Sequence, residues 1–487
     1  MTKLVNRMGH RAFFVAPLLG LLLLSHCGPD APNPLAPPDP QTAALQQLTD
    51  SVALQVAAIR GKPFLRKVIV RLQTSEHYLQ EMQADSAMRN YAQFSPHLNH
   101  FFTRTALVRT QDNVTDYVKT QQEYYAQFPS AYYQVGSDTI TIMSRDAQYR
   151  DVPQMMDNPE FTVILAHELT HALQDQQLGA FSPLRSDNES SDQVAAHACM
   201  VEGEASLTEA LYLNRYLLGG LGGEEQELIG RQATLAQALY DTVDALIANG
   251  GIAFPPFMWL PLVQRYFVGT AWMAHAYKRA QWAGVDEQYG QQTLSMLEVM
   301  SLDTLSAVVL NLERFENYVN TDHFVIYDVF GAFDVSMMLG LNTAPGAVGP
   351  SLRHRFGYRG DRILYWSPSG SQPGAFIWAF SFEDDVRARS AFELLGKVVQ
   401  NAEGIAARPK MQLQSIDSTT NAPFIIARYS QNGQNAALLY RSKMLFWVDN
   451  TASSQESILV DIINPALAKR KAAPLPSRSF RPPQRTY

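Results

Sequence analysis

The chain has little cysteine, little charge and an excess of acid over base. Two cysteines, Cys27 and Cys199, in 487 residues allow at most one disulfide, which excludes a disulfide-stapled scaffold. Charged residues make up 17% against 46% hydrophobic, so there is apolar material for a large core and global disorder is excluded. The formal net charge is −7, from 39 Lys and Arg against 46 Asp and Glu. A chain with this balance lacks the basic footprint that nucleic-acid binding needs, so no nucleic-acid partner is expected. No repeat of solenoid or propeller period is present either. The length allows two to four domains at roughly 100–200 residues each.

Long apolar runs are also missing, with one exception at the N-terminus. Residues 12–24 are continuously apolar and follow Lys3, Arg7 and Arg11. Such a run is short for about 30 Å of hydrocarbon but suits an export signal. Leu24-Ser25-His26-Cys27-Gly28 comes next and resembles the lipobox of bacterial lipoproteins, with His26 in place of the usual small residue. The resemblance implies a lipoprotein signal peptide over 1–26, lipidation of Cys27, and an exported protein. Its place would be the bacterial cell envelope, on the periplasmic or cell-surface side, anchored to the membrane by lipid. Six of the twelve residues Pro29–Pro40 are proline, so 27–40 is read as a stiff linker. Residues 469–487 have six basic residues and no acid, and are read as a basic disordered tail.

Between the ends, residues 41–128 have an Ala/Gln/Leu texture with helical spacing, as at Leu45, Leu48, Val52 and Val56, and are expected to be helical throughout. Val135–Met143 switches to period two and predicts a strand. Asn158-Pro159-Glu160 then opens a helix that stops near Gly179, and a second helix is expected over 193–218. Further helices are expected over 226–248, 262–282 and 303–319. After residue 350 the texture predicts strands at Arg362–Trp366, Ala375–Phe380, Phe424–Tyr429, Ala436–Tyr440 and Met444–Val448, with a helix over 384–399. The expected fold is α+β: a mainly helical domain over 129–350 with a small edge sheet, then a small α+β domain over 351–468.

The segment that carries chemistry is His167-Glu168-Leu169-Thr170-His171. Residues four apart on a helix share a face, so His167 and His171 aim two imidazoles at one point. Neutral imidazole is a good zinc ligand, and Glu168 is placed to act as general base without ligating. An unpaired cluster of this kind on so apolar a helix would be costly, and a metal removes the cost. A catalytic zinc takes three protein ligands, and the next helix offers His197, Glu202 and Glu204. Asp175, one turn past His171, is expected to accept the other ring N–H of a ligand histidine. Tyr266, His275 and Tyr277 are candidates for stabilising an oxyanion.

Glu202-Gly203-Glu204-Ala205 resembles the E-G-x-A element that carries the third ligand in gluzincins. The resemblance selects Glu202, with Glu204 on another face. More narrowly, A-H-E-L-T-H-A-L-Q-D-Q followed by V-E-G-E-A is similar to a group of exported prokaryotic zinc metallopeptidases. Phe254-Pro255, Tyr266-Phe-Val-Gly269 and Tyr358-Arg359-Gly360-Asp361-Arg362 match later elements of that group. The likeness implies a zincin-like domain, one zinc per chain held by His167, His171 and Glu202, and a peptide or protein substrate. Peptide bonds would be hydrolysed with Glu168 as base on zinc-bound water, and Thr139–Met143 would stand as the edge strand that receives substrate. At one place the chain departs from the group: Ala307 and Asn311 stand where it tends to have Glu and His. That departure supports a second expectation, a catalytically silent zinc-binding lipoprotein serving as a binding or scaffold module.

The lipidation expectation has a direct check. Cys27→Ala should move the protein from the membrane fraction to the soluble one, because two or three acyl chains anchor stably where one is marginal. Retention of the variant in membranes, with residues 1–26 still attached, would mean an uncleaved anchor instead.

Overall fold

The computed structural model describes most of residues 40–462. Residues 1–39 and 463–487 and several internal stretches, the longest being 183–188, 316–323, 368–373, 401–411, 418–424 and 450–457, lie outside the described residues. The expected signal peptide, Cys27, the linker up to residue 39 and the basic tail therefore fall outside them.

The fold is α+β. Helix α1 (Pro40–Arg60) buries Leu45, Val52 and Val56, as their spacing predicts. Strand β1 (Ile69–Thr74) then interrupts the stretch expected to be all helical. Val68, Ile69 and Val70 are β-branched, and residues 69–74 pair in parallel with a strand 70 residues further on. Helices α2 (Ser75–Ala84), α3 (Ser95–Arg104) and α4 (Tyr117–Gln127) follow.

The single strand expected over 135–143 is a hairpin of β2 (Ala131–Gln134) and β3 (Thr139–Ser144). Gly136 and Asp138, with φ of 79° and 52°, turn the chain between them. The sheet order is β1-β3-β2, so β3 is central, parallel to β1 and antiparallel to β2. Thr139–Met143 is thus paired on both sides and is not the edge; β2 is the edge strand that lies against the next helix.

That helix is α5 (Pro159–Leu173). The Asn158 side chain accepts from Glu160 N–H at 3.0 Å, and Pro159 fills the first position. The helix continues as a π turn over Gln174–Leu178 and ends at Gly179 in the left-handed region. Helix α6 (Ser191–Tyr212) opens on a reciprocal capping box between Ser190 and Gln193. Two helices, α7 (Glu225–Gln232) and α8 (Leu235–Ala248), replace the one expected over 226–248. Helix α9 (Pro256–Gln288) is longer than expected and bends at Ala280–Gln281. Helix α10 (Met296–Ser301) ends where Leu302 turns left-handed, with φ of 53°. The helix expected over 303–319 does not form in its described part, 304–312. That stretch lies along the large sheet instead, with Val308 N–H donating to the Arg359 carbonyl at 2.6 Å.

The large sheet contains β4 (Phe324–Asp328), then, after helix α11 (Gly331–Leu341), β5 (Tyr358–Ser367) and β6 (Ala375–Phe382). Helix α12 (Asp385–Gln400) follows, then β7 (Gln412–Asp417), β8 (Ile425–Gln431), β9 (Gln434–Arg441) and β10 (Met444–Asp449). The order is β4-β5-β6-β10-β9-β8-β7, with every neighbour antiparallel. One strand of this sheet, β4, precedes residue 350.

Buried carboxylates fasten the sheet to the helices. Asp328 accepts from Ser191 N–H at 2.8 Å and from its hydroxyl at 2.5 Å, at the start of α6. Asp361 accepts from the N–H groups of Phe330 and Gly331 and from Trp378 Nε1, at 2.9–3.0 Å. Asp449 holds Arg104 through two hydrogen bonds of 2.8 and 2.7 Å.

Helices α6 and α9 touch backbone to backbone. A Cβ on Gly203 would stand 2.2 Å from the Gly269 carbonyl carbon, and one on Gly269 would stand 2.1 Å from the Cys199 carbonyl oxygen. Cys199 itself is a fully buried thiol against Met296. Gly203→Ala and Gly269→Ala should each force the helices apart and cost about 1–3 kcal/mol or more. A denaturant melt of each variant measures this, and an unchanged midpoint would mean that the contact is not tight.

Candidate metal centre

His167 and His171 stand one turn apart on α5, with ring centroids 4.8 Å apart and planes at 85°. Glu202 faces them from α6. Its Oε2 lies 3.1 Å from His167 Nε2 and 3.5 Å from His171 Nε2. All three side chains are buried, and their ligand atoms lie within 4.8 Å of one another, so the group could hold a metal ion. Donors placed 2.0–2.1 Å from a tetrahedral ion are about 3.3 Å apart, and the two observed separations bracket that value.

The outer ring nitrogens are held as well. His167 Nδ1 is 3.1 Å from Glu209 Oε2, and His171 Nδ1 is 2.8 Å from Gln174 Oε1. A carboxylate only accepts, so the proton at the first contact sits on His167 Nδ1. At the second, Gln174 Nε2 donates to the Val201 carbonyl at 2.8 Å and to Glu204 Oε2 at 3.0 Å, which turns Oε1 towards the ring. His171 Nδ1 is therefore the donor there too. Both imidazoles present Nε2 to one oxygen of Glu202. Two neutral rings would set two lone pairs against a carboxylate, and a cation between them removes the repulsion.

Protonation states express the same demand for positive charge. Burial opposes charge on His167, yet hydrogen bonds to Glu202 and Glu209 outweigh it and hold the pKa up at about 10. Burial likewise opposes charge on Glu202, but the charge of His171 and the hydrogen bond from His167 pull it down to about 2.

Glu168 is 2% exposed, and burial pushes its pKa up. His171, His167 and a hydrogen bond from the Tyr133 backbone N–H act in the other direction. Edge strand β2 thus meets the candidate base directly. Tyr266, on α9, has its ring centroid 5.9 Å from that of His167. Its buried hydroxyl has no hydrogen-bond partner at ordinary distance. Burial, with the charges of Glu202 and Glu168 and a longer hydrogen-bond approach to Glu202, lifts its pKa well above 10.

The structure brings His167, Glu168, His171, Glu202 and Tyr266 together and leaves the other candidates elsewhere. Asp175 does not hold a ligand histidine. It accepts from the Tyr133 hydroxyl at 2.8 Å and from Gly136 N–H at 2.7 Å, tying the β2–β3 hairpin to the end of α5. The β2–β3 hairpin claims the Asp175 carboxylate, and Gln174, three residues beyond His171 on α5, meets the ring instead. Glu204 faces away from the group, as expected, but it is buried, with Arg60 Nε at 2.5 Å and the Tyr289 hydroxyl beside it. His197 Nδ1 meets the Gln193 carbonyl, and Tyr277 donates to Glu225. Asn311 is exposed, on the segment whose Leu310 carbonyl accepts from Arg362 Nε. Glu209 and Gln174 were not among the sequence candidates. Glu209 had a visible signal, since it lies seven residues after Glu202 and so on the same helix face. Compared with protein-family models, curated proteins and solved structures, the chain matches none.

Metal binding must displace the proton that His167 Nε2 shares with Glu202. Uptake by metal-free protein should therefore release about one proton per ion at pH 7–8. Affinity should rise tenfold per pH unit and level off as pH passes 10, where His167 loses its proton without the metal. Calorimetry in buffers of different ionisation enthalpy reads this directly. Glu202→Ala should weaken binding at least 10-fold, and Gln174→Leu by about 10–100-fold, the usual cost of losing a partner behind a ligand. Binding that releases no proton would contradict the arrangement.

Proposed function

We propose that the protein is a zinc-dependent peptidase of the gluzincin type, anchored to the bacterial cell envelope by lipid on Cys27. The observation that carries the reading is the convergence of two imidazole Nε2 atoms on one Glu202 oxygen, with an unligated, buried Glu168 beside them. Two nitrogens and one carboxylate oxygen are the protein donor set of a catalytic zinc. When bound, zinc supplies a Lewis acid that polarises the scissile carbonyl and acidifies a water.

The residues of the chain do the rest. A peptide laid along the free edge of β2 runs past Tyr133, whose N–H marks where that edge meets Glu168. Glu168 takes a proton from the attacking water and passes it to the leaving amine, a task that suits a carboxylate with an elevated pKa. Tyr266, neutral throughout the physiological range, donates its hydroxyl to the carbonyl oxygen as charge develops there. The packed helices on either side keep bulk water from these groups. Among the described residues no helix is long and apolar enough to cross a membrane.

A peptide-library digest by the zinc-loaded protein tests the reading. Cleavage should be abolished by chelator and fall at least 100-fold in Glu168→Gln, with zinc content unchanged. Zinc binding without cleavage of any peptide would favour the silent scaffold that Ala307 and Asn311 suggest.

A further inference from the structure

Helix α9 carries buried polar side chains that this chemistry does not use. Gln264 is fully buried, Arg265 is 3% exposed and Thr270 is 1% exposed, and all three flank Tyr266. Gln264 Nε2 and Oε1, Arg265 Nε and Nη1, Tyr266 Oη and Thr270 Oγ1 have no hydrogen-bond partner. These six are a third of the eighteen such atoms among the described residues, and they come from seven consecutive positions, so the deficit is local.

The guanidinium is the most demanding of them. Three arginines are buried among the described residues: Arg60, Arg104 and Arg265. Arg60 pairs with Glu204 and Asp286, and Arg104 pairs with Asp449. Arg265 has no carboxylate partner among the described residues. The groups that feel its charge are the hydroxyls of Tyr124 and Tyr266, both neutral. A cation taken out of water without a counterion is strongly unfavourable, so the fold keeps this one at a cost.

Its position gives that cost a use. Tyr266, the next residue, lies against His167, and its hydroxyl is in the field of Glu202 and Glu168 on one hand and Arg265 on the other. One turn further on, Gly269 touches the backbone of the Glu202-bearing helix at Cys199 and Gly203. We propose that Arg265 receives a carboxylate of the bound peptide, and that the protein prefers peptides with an anionic group close to the bond at the metal centre. The cleavage preference rests on the peptidase reading; the carboxylate binding does not. Guanidinium matches carboxylate by charge and by N–H donors, and Arg265 Nε is one of the donors left without a partner.

Calorimetry on the full, zinc-loaded Glu168→Gln protein tests this, with one hexapeptide made as the free acid and as the C-terminal amide, and a second pair differing by an internal Glu or Gln. In at least one pair the charged member should bind about 10-fold tighter or more. The pair that responds tells a C-terminal carboxylate from an acidic side chain. Adding Arg265→Gln should erase the difference with zinc content intact, and Arg265→Lys should restore part of it. In ligand-free protein Arg265→Met should leave the melting temperature unchanged or raise it, because it removes an unpaired buried charge. Equal affinities within both pairs, or a clear loss of stability in Arg265→Met, would overturn the proposal. Charge-selective binding in a protein that cleaves nothing would leave it standing and overturn only the peptidase reading.

Discussion

A carboxylate 2% exposed between two imidazoles holds only if positive charge stands with it, and the interior is arranged around that requirement. Helix α6 carries Glu202 and Glu204 on opposite faces, both buried, with Gly203 between them. One acid is answered by His167 and His171 on α5, and the other by Arg60 at the end of α1. The two faces communicate through one side chain. Gln174 gives its oxygen to His171 and its amide hydrogens to Val201 and Glu204. A salt bridge outside the metal group thereby fixes the amide that orients one of its imidazoles.

The metal group was legible where it depended on helical periodicity alone. The i, i+4 spacing of His167 and His171 needs only a helix, and the caps at Asn158 and Gly179 announced one. What sets the outer ring nitrogens was not legible, because it depends on contacts between distant elements. A helical count from His171 arrives at Asp175, but the β2–β3 hairpin claims that carboxylate and Gln174 meets the ring. Tyr133, whose backbone meets Glu168, was hidden for another reason: its short strand falls between the helical stretch expected to end at 128 and the strand expected to begin at 135.

Strand pairing over distance accounts for most of the remaining differences. β1 has helical texture on both sides, and only its parallel pairing with β3 makes it a strand. Segment 304–312 has enough Leu and Val to suggest a helix, yet the backbone of β5 claims it. The strands after residue 350 were readable, since a pleated surface buried on both faces selects aromatic and aliphatic residues locally. Their attachment through Asp328, Asp361 and Asp449 was not, because a lone aspartate gives no local sign of its distant partner.

The Arg104–Asp449 pair spans 345 residues, and the Arg60–Glu204 pair spans 144. Until the last strand of the large sheet is in place, Arg104 must stay hydrated, and the helices around it cannot close. The order of events in folding is thereby constrained. Local helices can form early, but the apolar interior they share with the sheet can dry only after β10 has paired, which makes for a chain rich in non-local contacts and a correspondingly slow approach to the native state. The C-terminal sheet is in this sense the closing element of the fold. A nascent chain that lacks it would hold open the same interior that buries the metal group.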